Sequence, residues 1–225
     1  MTRPDSLALN TLPKPQRQLY AHCACEGCNR TPRAFSRFCT KHARIFFRTR
    51  DPNGRAIRSS ELTSQRLLAG VYLQRFADHP AVVAALGVIE GTLSDTLLPG
   101  AIRKQMQRLS IDGATPLGML TEFLAVMGLQ HSLPHSVNTD ASWAFNVGNR
   151  VLRVCSPPSV TTANGKQIAG SIPARVSEAY GTHLRQTLGL FASQLWRHIQ
   201  ADIEAPQRAA TDLSAALRAA PFGTR

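Results

Sequence analysis

Four of the five cysteines in this 225-residue chain fall between residues 23 and 39, as Cys23-Ala-Cys25-Glu-Gly-Cys28, ten residues, then Cys39-Thr-Lys-His42. A disulfide framework would spread its cysteines along the chain, and an odd number would leave one over. Clustered thiols with a histidine at this spacing fit metal ligation in a reducing compartment. Thiolate and imidazole suit the borderline-soft, tetrahedral zinc ion, and two short ligand pairs joined by a loop let one chain wrap it. Gly27 permits a tight first knuckle. Cys28, Cys39 and His42 supply three ligands, and spacing alone leaves Cys23 and Cys25 both open as the fourth. Four protein ligands leave no position for water, so a structural zinc is expected. Such an ion can contribute on the order of 10 kcal/mol to folding a piece too small for its own core.

The segment resembles the zinc module at the N-terminus of many phage and mobile-element HNH-type endonucleases and related short proteins. The matching or near-matching positions are Cys23, Gly27, Cys28, Arg30, Pro32, Arg37, Cys39, His42, Arg44, Asp51 and Pro52. Departures are Thr31 between Arg and Pro, Phe38 where Gly is usual, and Arg50 where Gly precedes Asp-Pro. The usual Cys-x4-Cys spacing of that module implies Cys23 rather than Cys25 as first ligand. The resemblance covers only about residues 20–60.

The formal charge of +12 is concentrated at the same end. Residues 1–60 hold twelve Lys and Arg against three acids, while residues 61–225 hold fourteen against eleven. Such asymmetry points to a polyanionic partner, with duplex DNA favoured. The candidate contacts are Arg30, Arg33, Arg37, Lys41, Arg44, Arg48, Arg50, Arg55 and Arg58, interleaved with Phe35, Phe38, Phe46 and Phe47. Arginine forks bind phosphates bidentately and can read guanine edges. Lys41, Arg44 and Arg48 share a face if the segment after Cys39 is helical. The aromatics either stack on bases or pack around the metal site.

The pattern divides into a flexible tail (1–20), a zinc-binding basic module (21–60), a helical domain (61–204) and a C-terminal tail or frayed helix (205–225). At 43% hydrophobic residues the chain can bury a core, and the expected fold is mainly α. Helical periodicity covers residues 60–77, with Ser60 as N-cap and Leu62, Leu68, Val71, Tyr72 and Phe76 recurring. Pro80 and the Thr115-Pro116 pair mark further helix starts, with helices expected over 81–90, 101–109 and 116–127. Residues 143–147 and 150–154 flank Gly148-Asn149 and predict a short β-hairpin. The longest helical pattern runs from Ser171 to about Glu204, and Gly181 and Gly189 suggest a break into two helices. Residues 173–180 and 182–190 around Gly181 also form a candidate helix-turn-helix, although Thr187 sits where an apolar residue is preferred.

No HNH catalytic motif follows residue 60. Pro134 between His131 and His135 argues against a ligand-bearing helix. Asp202 and Glu204 face different sides of a helix, and Cys155 has no nearby His and reads as core. The expectation is a zinc-containing DNA-binding protein, a regulatory or accessory factor of a phage, plasmid or integrated element, the mobile-element part resting on the resemblance. Rival readings are a nuclease or recombination enzyme with scattered catalytic residues, and a protein-interaction module whose helical part forms a homodimer. With no apolar segment suited to a signal peptide or membrane span, a bacterial cytoplasm or nucleoid location is expected.

Overall fold

In the computed structural model, which describes residues 22–32, 36–133, 139–155, 159–161, 164, 167–169 and 171–219, the chain is mainly α-helical. The helices, in chain order, are α1 (Thr40–Thr49), α2 (Thr63–Arg75), α3 (Pro80–Ser94), α4 (Gly100–Ile111), α5 (Pro116–Ser132), α6 (Asp140–Val151) and α7 (Ala174–Ala219). Proline starts two of them where the sequence places it. His79 caps α3 by accepting the Ala81 N–H, and Thr115 caps α5 by accepting the Gly118 N–H. Both leave proline at the first turn, where its missing N–H costs nothing.

Three expectations need correction. The helix read from Ser60 begins with a single 3-10 turn, Ser59–Leu62, and within α2 the core face carries Ala69 and Leu73 while Val71 is 57% exposed. The hairpin read over residues 143–154 is instead α6, capped by the Thr139 hydroxyl, which accepts the Ser142 N–H. The β-structure lies further on, where β1 (Ser159–Thr161) pairs antiparallel with β2 (Gln167–Ala169), Val160 opposite Ile168. Finally, α7 passes through Gly181 and Gly189 unbroken, so there is neither a two-helix split nor a helix-turn-helix.

Both misread glycines serve helix packing. A Cβ on Gly148 would lie 1.8 Å from the Ser177 carbonyl oxygen, and one on Gly181 would lie 1.8 Å from that of Ala144. The backbones of α6 and α7 therefore touch, which only residues without side chains allow. α5 is the central helix, with ten residues between 119 and 129 buried. Its Gly128 lies under the Trp196 ring of α7, whose indole N–H donates to the Leu124 carbonyl at 2.7 Å. The one carboxylate in this run, Glu122, is paired with Arg66 of α2 and Arg150 of α6.

The segment after α1 is stitched into this helical body. Asp51 is buried; one carboxylate oxygen accepts the Asn53 N–H at 2.8 Å and the other the Thr139 N–H at 2.9 Å, at the start of α6. The buried Asn146 side chain accepts from the Ile57 N–H (2.8 Å) and donates to the Arg55 carbonyl (3.0 Å). Arg50, the C-cap of α1, reaches Glu178 of α7 at 2.6 Å.

Candidate metal centre

The Cys/His segment closes on itself by backbone hydrogen bonds before any metal is considered. The Cys23 N–H donates to the Arg30 carbonyl at 3.0 Å and the Ala24 N–H to that of Arg37 at 2.9 Å. The Cys28 N–H donates to the Cys25 carbonyl at 3.1 Å, closing a turn in which Gly27 takes a φ of 71°, a left-handed conformation that favours glycine. Cys39 is the N-cap of α1, which places His42 in the first turn on the same side. Phe38, Ala43 and Phe46 pack with the cysteines into a core separate from that of the helical body.

The ligand atoms of Cys23, Cys28, Cys39 and His42 all lie within 4.8 Å of one another. Cys23 Sγ is 3.3 Å and Cys39 Sγ 3.5 Å from His42 Nδ1, and Cys28 Sγ is 3.9 Å from Cys39 Sγ. A tetrahedral ion with zinc–ligand bonds of about 2.0–2.3 Å needs edges of ~3.5 Å between sulfur and nitrogen and ~3.8 Å between sulfurs. These three separations are close to those edges and all six lie within 4.8 Å, so the four residues stand close enough to hold a metal ion, consistent with zinc. Cys23 and Cys39 are buried while Cys28 and His42 are half-buried.

Electrostatics separates Cys23 from Cys25. Burial pushes the Cys23 thiol up, but N–H donation from Cys39 and Cys25 and the His42 ring bring it down to about 6. The Cys39 N–H stands 3.3 Å from Cys23 Sγ. Cys25 is pushed up to about 11, first by burial and then by its sulfur neighbours. For Cys28 the Arg30 backbone N–H lowers the pKa, and burial with the Cys23 and Cys39 sulfurs raises it further, above the ordinary thiol value. Since Cys28 is raised like Cys25, it is geometry that chooses the first ligand: Cys23, and not Cys25, belongs to the group whose ligand atoms lie within 4.8 Å of one another.

α1 presents a single outward arc. At 3.6 residues per turn, Phe47, Thr40, Arg44, Arg48 and Lys41 span about 120° in that order, and all five are exposed. Ala43 and Thr49 are buried on the other side, with His42, Ile45 and Phe46 half-buried. Arg30, Arg37 and Arg58 are also exposed. Among the described residues, no carboxylate pairs with Arg30, Arg37, Lys41, Arg44 or Arg48. Arg50 and Arg55, by contrast, are engaged with Glu178 and Glu61, each at 2.6 Å. No sequence signal could find the Arg50 pairing, because its partner lies 128 residues away. Arg33 and Phe35 lie outside the described residues.

The remaining chemistry-bearing residues do not assemble. His131 is exposed near the end of α5, and His135 lies outside the described residues. Asp202 and Glu204 are exposed, and Cys155 is half-buried against the main core. Among the described residues the four-ligand cluster is the one Cys/His/acid group with metal-binding geometry. Among the described residues, no helix is long and apolar enough to cross a membrane. No family model matches this chain, and no curated protein or solved structure matches it either.

Proposed function

We propose that this chain is a zinc-containing DNA-binding protein in which a structural zinc folds a small basic module and that module grips duplex phosphates. The observation that carries the reading is the exposed arc of α1, where Lys41, Arg44 and Arg48 stand together with no carboxylate paired to them among the described residues. An unneutralised cationic face costs self-repulsion unless a polyanion meets it. Arg30 and Arg37 extend the set to five, while the ion pairs of Arg50 and Arg55 remove them from it. Four protein ligands leave the zinc no open coordination position, which supports a structural role for it. The resemblance to the zinc module of phage and mobile-element HNH-type endonucleases supports a regulatory or accessory role in such an element.

The test is a salt titration of binding to a fluorescent duplex. Five phosphate contacts give a slope of log affinity against log salt of about −4 to −5. Changing Arg44 and Arg48 to Ala weakens binding to all sequences and flattens the slope by about 1 per lost contact. Salt-insensitive binding, or none at low salt, removes the nucleic-acid reading. An unchanged slope in the double variant moves the contact surface off α1.

A further inference from the structure

The outward arc of α1 is not purely cationic. Phe47 stands on it 69% exposed, three residues from Arg44 and adjacent in sequence to Arg48. Phe38 and Phe46 have a structural role in the core around the cysteines, whereas Phe47 lies outside that core. Its ring meets Phe46 edge-on at 6.2 Å, and Phe46 lies 5.3 Å from Phe38. The Arg37 guanidinium sits 4.9 Å over the Phe38 ring. Between these groups runs an open cleft of about 280 Å³, bounded by Ser36, Arg37, Phe38, Ala43, Phe46 and Phe47.

The cleft combines aromatic walls with a cationic rim, so its occupant should offer a flat apolar face and a negative charge a short distance away. A nucleotide does both. The size agrees, since drug-sized ligands fill about 300–1,000 Å³ and a single base is smaller. Within a continuous duplex the faces of the bases are covered by stacking, and only their edges reach a groove. An aromatic cleft can therefore use its π-surface only on a base that has left the stack. Resting on the nucleic-acid reading above, we propose that this cleft receives one unpaired base. The protein then prefers a duplex interrupted by an unpaired nucleotide over a continuous one, with Arg44 and Arg48 holding the flanking phosphates.

The experiment uses the full zinc-loaded chain and two labelled probes, a continuous duplex and the same duplex with one bulged 2-aminopurine. The expected result is binding to the bulged probe on the order of tenfold tighter, with 2-aminopurine fluorescence quenched as it stacks. Phe47→Ala should abolish both the preference and the quenching, leaving affinity for continuous duplex and its salt slope unchanged. Phe47→Trp should keep them. Because Phe47 is exposed, the variants should fold, and unchanged zinc content checks this. Equal binding of the wild-type protein to both probes overturns the proposal and spares the duplex reading. An equal loss on both probes in Phe47→Ala also overturns it, making the ring an edge contact such as one to a thymine methyl. Binding to neither probe removes the nucleic-acid reading and this proposal with it.

Discussion

At the scale of single residues, the choice between Cys23 and Cys25 shows what spacing can and cannot decide. Both stand at workable distances from Cys28 along the chain, and the residues alone leave either open. The turn closed by the Cys25 carbonyl and the Cys28 N–H leaves the Cys25 thiol buried and brings Cys23 to His42 at 3.3 Å. Elemental analysis should find one zinc per chain in the wild-type protein and in Cys25→Ser, and none in Cys39→Ser, whose residues 22–50 should lose structure. Metal loss in Cys25→Ser would exchange the first ligand, and a metal-free wild-type protein would remove the zinc reading. Cys28, Cys39 and His42 were legible because metal ligation imposes local spacing that survives in the sequence. The roles of Asp51 and Asn146 were not, since each depends on a partner more than eighty residues distant. In the sequence Asp51 and Pro52 stand out only as positions of the resemblance.

At the scale of elements, helix starts marked by proline and a capping residue were readable, while α6 and the continuity of α7 were not. The pair Gly148-Asn149 carries the local signature of a hairpin turn, and Gly181 that of a helix break. What overrides both is the crossing of α6 and α7, where the missing side chains admit a neighbouring backbone. Gly148→Ala or Gly181→Ala should therefore destabilise the protein by about 3 kcal/mol or more. Gly189 provides the contrast, because a Cβ there meets nothing within 4 Å. Gly189→Ala should be stabilising by about 0.5–1 kcal/mol through helix propensity. Urea unfolding of the three variants decides this; equal effects at all three positions would refute the contact argument. The same helix carries Tyr180, fully buried and bonded to Thr92 of α3 at 3.2 Å, its phenol pushed up to about 12 by burial. The unfolded chain loses that proton near the ordinary value of 10. Stability from this group is thus complete below that pH and falls as pH rises towards 12, which a spectroscopic tyrosine titration beside an unfolding curve would show.

At the scale of the whole molecule, two cores coexist, one of cysteines, Phe38 and Ala43, the other of α2 to α7. The sequence placed their boundary near residue 60, where the composition changes. The physical seam lies earlier, since the buried Asp51, Gly54 and Ile57 all attach to the helical body. A Cβ on Gly54 would sit 2.8 Å from Ser142 Oγ, so this segment is pressed onto α6. Five buried residues make a small core for the Cys/His segment, so on the zinc reading the metal supplies much of what holds that segment against the entropy of the open chain. Chelation should therefore remove the circular-dichroism signal of α1 alone and abolish duplex binding, with the helical body melting in a separate, largely unchanged transition. A fragment of residues 51–219 should melt like the chelated protein. One starting at residue 61 should remain helical but be less stable by about 3 kcal/mol or more, having lost burial of Ile57 and two hydrogen bonds to Asn146. If chelation instead melts the entire chain in one transition, the contacts of Asp51, Asn146 and Glu178 couple the two cores into a single cooperative unit. In that case the zinc supports the whole fold and not only the module that carries the charge.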